Sequence, residues 1–184
     1  MAKDSVRLLG EGPWSLDRAM RIAQEIQGQR RVVKALVETM FGEDAELRKR
    51  AADVACRVTD NDASALYGYA DELAGLLAEI ALEESRTRWH LGLVVARVAH
   101  TREQRLRAAG LMELLIEDES NVTRCSAVEG IGLLACEEAS LREIAEEIVE
   151  QALREGTPAM KARARHAKRR LAKIDGKSGT KVSA

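Results

Sequence analysis

The sequence predicts an all-α chain folded as an α-α superhelix of about four helix pairs with an N-terminal capping helix, and three observations carry that expectation. Four stretches share one frame. Counting from Leu47, Thr87, Thr123 and Met160, the positions four, seven, eight and eleven residues later read Ala51, Val54, Ala55, Val58; Leu91, Val94, Val95, Val98; Ala127, Gly130, Ile131, Leu134; and Ala164, Ala167, Lys168, Leu171. That spacing puts each set on one side of a helix, and only Lys168 breaks the small or aliphatic pattern. The starting points lie 40, 36 and 37 residues apart, a period that fits two helices per unit, each burying its apolar face against its neighbours. Aromatic residues make up only 3% of the chain and there are two prolines, so the core is built from Ala, Leu, Val and Ile. Small side chains let helices approach closely, and long helices run uninterrupted.

Residues 1–14, with Gly10, Gly12 and Pro13 and little periodicity, read as a flexible arm. Ser15 is placed to cap a helix carrying Leu16, Ala19, Met20, Ala23 and Ile26, which Gly28 ends. A second helix spans Arg30 to Phe41 with Val33, Leu36, Val37 and Met40 inward, making an antiparallel hairpin with the first. The first repeated helix covers Asp44 to Thr59, and Asp60-Asn61-Asp62 is a turn by composition. Leu66, Ala70, Leu73, Leu76, Leu77 and Ile80 mark a helix over 63–82, bent near Gly68, and the Glu83 to Ala99 helix packs back on it. Arg102 to Ile116 is helical through Leu106, Ala109, Leu111, Leu114 and Leu115. A turn at Asp118 to Ser120 leads to the third repeated helix, ending near Cys136. Ser140 is expected to cap a helix with Leu141, Ile144, Ile148, Val149 and Leu153 inward. Gly156 terminates it, Pro158 suits the first turn of the last helix, and that helix runs to about Ile174. One domain over 15–175 and a disordered tail over 176–184 complete the expected organisation.

Hydrophobic residues at 46% and charged ones at 32% describe a chain that is neither disordered by composition nor membrane-like. No apolar run resembles a signal peptide or approaches eighteen residues, so a cytoplasmic location and no membrane partner are expected. Cys56, Cys125 and Cys136 form no CxxC pair, and their odd number fits reduced packing thiols. The net charge of −1 hides an asymmetry: from Lys161 onward nine basic residues face Asp175 alone, giving +8, while the preceding chain carries −9.

The residue after each starting point is basic every time: Arg48, Arg88, Arg124 and Lys161. Acid pairs precede three of them, at Glu43-Asp44, Glu83-Glu84 and Asp118-Glu119. The whole pattern, clearest in LRKRAADVA from Leu47 and TRCSAVEGIG from Thr123, resembles HEAT repeats of the short bacterial type, over most of the chain from Arg30 to Ile174. The resemblance implies a curved right-handed superhelix whose second helices line a concave side. In similar proteins the basic position pairs with an acid of the preceding turn or the adjoining repeat, and Asp44, Glu84 and Glu119 are available. The ladder is therefore read as structural, since partly buried arginine needs a carboxylate.

A second row lies ten residues after the starting points, Arg57, Arg97, Leu133 and Arg170, on the opposite flank of the same helices. If these helices line the concave wall, its three arginines are candidate partner-binding residues; the plainer alternative is solvated surface charge. Trp89 joins them, because an indole opposite the apolar stripe either fills a gap against the neighbouring unit or stands exposed as a partner anchor. The basic stretch KARARHAKRRLAK offers Lys161, Arg163, Arg165, Lys168 and Arg169 as nucleic-acid contacts. The preceding segment Glu137 to Glu155 carries −5 and neutralises part of it. His90, His100 and His166 lack metal-ligand spacing, no nucleophile elbow or phosphate loop occurs, and no cofactor, metal or small-molecule substrate is expected.

The function these residues predict is that of a non-enzymatic interaction scaffold offering a partly basic concave surface to an acidic peptide or protein. The alternative is nucleic-acid binding through the C-terminal helix and the arginine row. A further variant, resembling the HEAT-like DNA glycosylases, would need an acid and aromatics in the cleft, for which Asp53 and Trp89 are the candidates.

Overall fold

A computed structural model describes residues 7, 9–10 and 12–178, with only the backbone of 175–178. Among the described residues it contains α-helices and short 3-10 turns and no strand: α1 Leu16–Ile26, α2 Arg30–Met40, α3 Ala45–Asn61, α4 Ala70–Glu79, α5 Ser85–Val98, α6 Arg102–Ile116, α7 Asn121–Glu137, α8 Arg142–Glu155 and α9 Pro158–Ser178.

Local chemistry explains most boundaries. Ser15 accepts from Arg18 N at the start of α1, and Asp44 accepts from Glu46 N and Leu47 N at the start of α3. Thr101 and Gln104 form a reciprocal capping box on α6, which satisfies two otherwise orphaned donors. The helix expected over 63–82 is two pieces. A 3-10 segment Ala63–Tyr69 takes the place of the bend near Gly68, and α4 begins only at Ala70. Ser140 is not a cap: Glu138 accepts from Ser140 N and opens a 3-10 turn, Ala139–Leu141, ahead of α8. Helix α9 continues four residues beyond Ile174, so the first residues of the expected tail are helical, and 179–184 lie outside the described residues.

The four repeated helices are one another's main neighbours: α3 packs on α5, α5 on α7 and α7 on α9. Every position of the shared frame is buried except Lys168, whose charge faces out. Helix α4 lies against α5 and α6, α6 against α7, and α8 against α9 and α7. The expected hairpin of α1 with α2 is not the principal contact, because both helices pack on α3 instead. That docking turns α1 by part of a turn, so Ala19, Ile22, Ala23 and Ile26 face inward while Leu16 and Met20 are exposed. In α6 the buried face is Ala108, Ala109, Met112 and Leu115, leaving Leu106 and Leu114 outside. Ala145 and Ala152 share the α8 core with Ile148 and Val149, and Ile144 and Leu153 are only half-buried.

The arm expected to be loose is docked where it is described. Leu9 is 1% exposed within the core, Arg50 donates to Leu9 O at 2.7 Å, and Trp14 packs against the core. Its residues 1–6, 8 and 11 lie outside the described residues.

Glycine sets the spacing of α7. A Cβ on Gly132 would stand 2.6 Å from Ala167 Cβ and 3.3 Å from its Cα, on α9. Closest approach there excludes even a methyl group, whereas Gly110, exposed in α6, meets nothing within 4 Å. Gly132→Ala is expected to destabilise by about 1–3 kcal/mol through overpacking, and Gly110→Ala to stabilise by about 0.5–1 kcal/mol through lost unfolded-state freedom. Urea denaturation of both variants checks the pair; a neutral Gly132→Ala would refute the tight α7–α9 contact.

Candidate interaction groove

The ladder following the starting points is real for two rungs and then stops. Arg48 donates through Nε to Met40 O at 3.2 Å and through Nη2 to Gly42 O at 2.7 Å, and its Nη1 meets Glu84 Oε1 at 2.5 Å. Arg88 repeats the arrangement one unit on, with Nη1 to Ile80 O at 3.0 Å and Nε and Nη2 on Asp118 Oδ2 at 2.9 and 2.7 Å. Each guanidinium thus ties the end of the preceding helix to an acid that leads into the next repeated helix. The acids are Glu84 and Asp118; Asp44 serves as a helix cap, and Glu119 is not used. At the third rung Thr157 stands in the register of Glu84, Glu155 in the register of Asp118 accepts from Gln151 Nε2 at 3.5 Å, and buried Arg124 Nε has no hydrogen-bond partner. Lys161 likewise has no ion-pair partner among the described residues.

The second row behaves differently. Arg57 folds back on Asp53 of its own helix at 3.1 Å. Arg97 reaches from α5 to α3, donating through Nη1 to Cys56 O at 2.9 Å and through Nη2 to Asp60 Oδ1 at 2.7 Å. Arg170 reaches from α9 to α7 and donates through Nη2 to Glu129 Oε1 at 2.7 Å. Arg97, Leu133 and Arg170 line a single open groove of about 620 Å³ together with Tyr67, His100, Arg105, Glu129 and Glu137. Arg57 lies outside that lining.

Charge in the groove is balanced, since Asp60, Glu129 and Glu137 oppose Arg97, Arg105 and Arg170. The hydrogen bonding is not balanced. Arg105 donates through Nη2 to His100 O at 3.0 Å, but its Nε is buried without a partner, as are Arg170 Nη1 and Glu129 Oε2. A buried donor or acceptor left unsatisfied costs about 1–3 kcal/mol, so these two donors and one acceptor mark where the groove has hydrogen-bonding capacity to offer. On the rim, Tyr67 and His100 stack with ring centroids 4.7 Å apart. Sequence reasoning missed Arg105, Tyr67 and Glu129: the first two come from segments outside the repeated frame, and Glu129 stands in a run of otherwise small residues on α7.

Trp89 is half-buried and stacks on His90, ring centroids 4.2 Å apart. Asp53 is 8% exposed and accepts from Trp14 Nε1 at 3.0 Å and from Arg57 Nε at 3.1 Å. His90 Nε2 stands 3.5 Å from Asp53 Oδ1. Trp14, brought there by the arm, therefore stands beside Asp53 and occupies the carboxylate. Burial, against the pull of Asp53, holds the His90 imidazole at about 4. Burial also pushes the Cys56, Cys125 and Cys136 thiols up, which keeps them protonated and inert.

The basic positions of α9 divide by partner. Arg163 Nη1 lies 3.9 Å from Glu129 Oε2, and Lys168 Nζ meets Glu150 of α8 at 2.5 Å. Lys161, Arg165 and Arg169 make no ion pair among the described residues. No described helix is long and apolar enough to cross a membrane, and no described group of three His, Cys, Asp or Glu residues is arranged to hold a metal. No family model, curated protein or solved structure matches the chain.

Two outcomes follow from the buried charges. Arg88→Ala strands Asp118, 7% exposed, and is expected to cost about 3–5 kcal/mol, whereas Arg48→Ala leaves Glu84, 20% exposed, able to rehydrate and costs about 1–3 kcal/mol. Equal urea midpoints for the two would contradict this ranking. For His90 the unfolded chain takes up a proton near 6.5 and the folded chain only near 4. Stability therefore falls as pH drops from about 6.5 to about 4, by up to about 3 kcal/mol, and His90→Gln should flatten that part of the profile.

Proposed function

We propose that this chain is a short HEAT-like α-solenoid acting as a non-enzymatic scaffold, and that the groove between the ends of its repeated helices seats a segment of a partner protein. Support for the architecture comes from the serial packing of α3, α5, α7 and α9 and from the burial of the shared frame. In such an arrangement the row Arg97, Leu133, Arg170 belongs to the concave wall.

The observation that carries the functional reading is the pair of buried, unpartnered guanidinium N–H groups on Arg105 and Arg170. Asp60 and Glu129 Oε1 are already occupied by Arg97 and Arg170, so the groove's unspent capacity is mainly for an acceptor. An acidic side chain supplies it at Arg105, and an extended peptide backbone supplies both a carbonyl for Arg170 and an N–H for Glu129 Oε2. Exposed Tyr67 gives the aromatic contact that interface anchors favour.

Selection of a random peptide library on the immobilised protein tests this. Enriched peptides are expected to carry Asp or Glu and to lose about tenfold or more in affinity on Arg105→Gln or Arg170→Gln, as loss of a hydrogen bond to a charged group implies. Peptides of neutral composition, or binding indifferent to both substitutions in folded variants, would refute the reading.

A further inference from the structure

The basic residues of α9 fall on three sides of the helix, and only one of them is free. At 100° per residue, Met160, Ala164, Ala167 and Leu171 form the buried stripe. Arg170 flanks it towards α7 and is held by Glu129, with Arg163 on the same side 3.9 Å from the other Glu129 oxygen; Lys168 flanks it towards α8 and pairs with Glu150. Lys161, Arg165, Arg169 and Lys173 remain. They recur every fourth residue, drift by about 40° at each step, and so run as one row along the side facing away from the core. The row is about 18 Å long. None of the four has an ion-pair partner among the described residues, and no acid occurs between Pro158 and Ile174. Arg165, Arg169 and Lys173 are exposed and Lys161 is half-buried.

Such a row is unfavourable for the isolated fold, because like charges four residues apart repel. The acids that could have relieved it are present in α8, yet among the described residues only Glu150 of them reaches α9 in an ion pair. What the exposed side of α9 lacks is equally telling. A helix that lies on a membrane surface needs large apolar residues beside its cations, and here the neighbours are Ala162, His166 and Ala172. Electrostatics without hydrophobic insertion is the mode of phosphate-backbone binding.

We infer that this row is a nucleic-acid contact, independent of the groove, through which the scaffold holds duplex or single-stranded phosphate backbone without reading sequence. Arg163 and Lys168, two of the basic positions the sequence put forward, stand off this row on the flanks of the helix, and Lys173 is added. The paired arginines of α9 serve the fold and the groove, and the unpaired row serves a polyanion, so one helix joins two ligands.

The test is fluorescence anisotropy with a labelled DNA duplex and with the same sequence as a single strand, on the full chain. Binding is expected to weaken about 100-fold between about 50 and about 200 mM salt, as about four phosphate contacts require. The variant K161Q/R165Q/R169Q/K173Q, relieved of that repulsion, is expected to melt no lower than the parent and to lose at least tenfold in affinity at the lower salt. Arg97→Glu, a groove substitution, is expected to leave DNA affinity within twofold, which separates failure of this inference from failure of the peptide reading. A quadruple variant that binds like the parent would overturn the proposal. So would the absence of binding at low salt, or binding of phosphatidylserine vesicles in place of DNA, which would move the row to a membrane.

Discussion

Close approach of the repeated helices is the constraint on which the remaining features depend. Alanine and glycine at and beside the frame positions let α3, α5, α7 and α9 approach closely, most tightly where Gly132, one residue past the frame, faces Ala167. At that spacing a side chain on one helix reaches the main chain of the next, which is how Arg97 finds Cys56 O across the gap. A larger residue in the seam would push the helices apart and leave those arginines short of their partners. Packing density and polar cross-linking are therefore two readings of the same interface.

Arginine is used in three distinct settings, and the difference lies in what surrounds each guanidinium. Arg48 and Arg88 are enclosed, anchored on a helix-ending carbonyl and a carboxylate, and their work is finished within the fold. Arg97 and Arg170 bridge helices as well but stand at a groove, where Arg170 keeps a donor unspent beside Arg105. Along the outer side of α9 the charges have no carboxylate partner among the described residues. A fork of donors suits all three roles because it can be divided among several acceptors, whereas the ammonium of Lys168 settles on Glu150 alone.

The helices and their inward faces were legible in the sequence wherever the apolar period was strong, as in α3, α4, α5 and α7. Two amphipathic segments misled at Leu16, Met20, Leu106 and Leu114. Both are outer helices rather than members of the repeated row, and there a slight rotation exchanges which aliphatic side chains are covered. The groove was half legible: the row ten residues into each unit led to Arg97 and Arg170. Arg105 and Tyr67 lay beyond reach because they enter from α6 and from a 3-10 turn, elements with no shared frame. Trp14 was hidden for a related reason. Its indole meets Asp53 at a separation of 39 residues, and local composition, rich in Gly and Pro, pointed to looseness instead.

The interruption of the arginine ladder has a mechanical consequence. Carboxylate ties fasten the first repeated helix to the second and the second to the approach of the third, but Thr157 offers Asn121 only a hydroxyl where an acid would have closed the next link. The last repeated helix is instead fastened to its neighbour from the other end of the seam, by the Arg170–Glu129 pair and the close contact of Gly132 with Ala167.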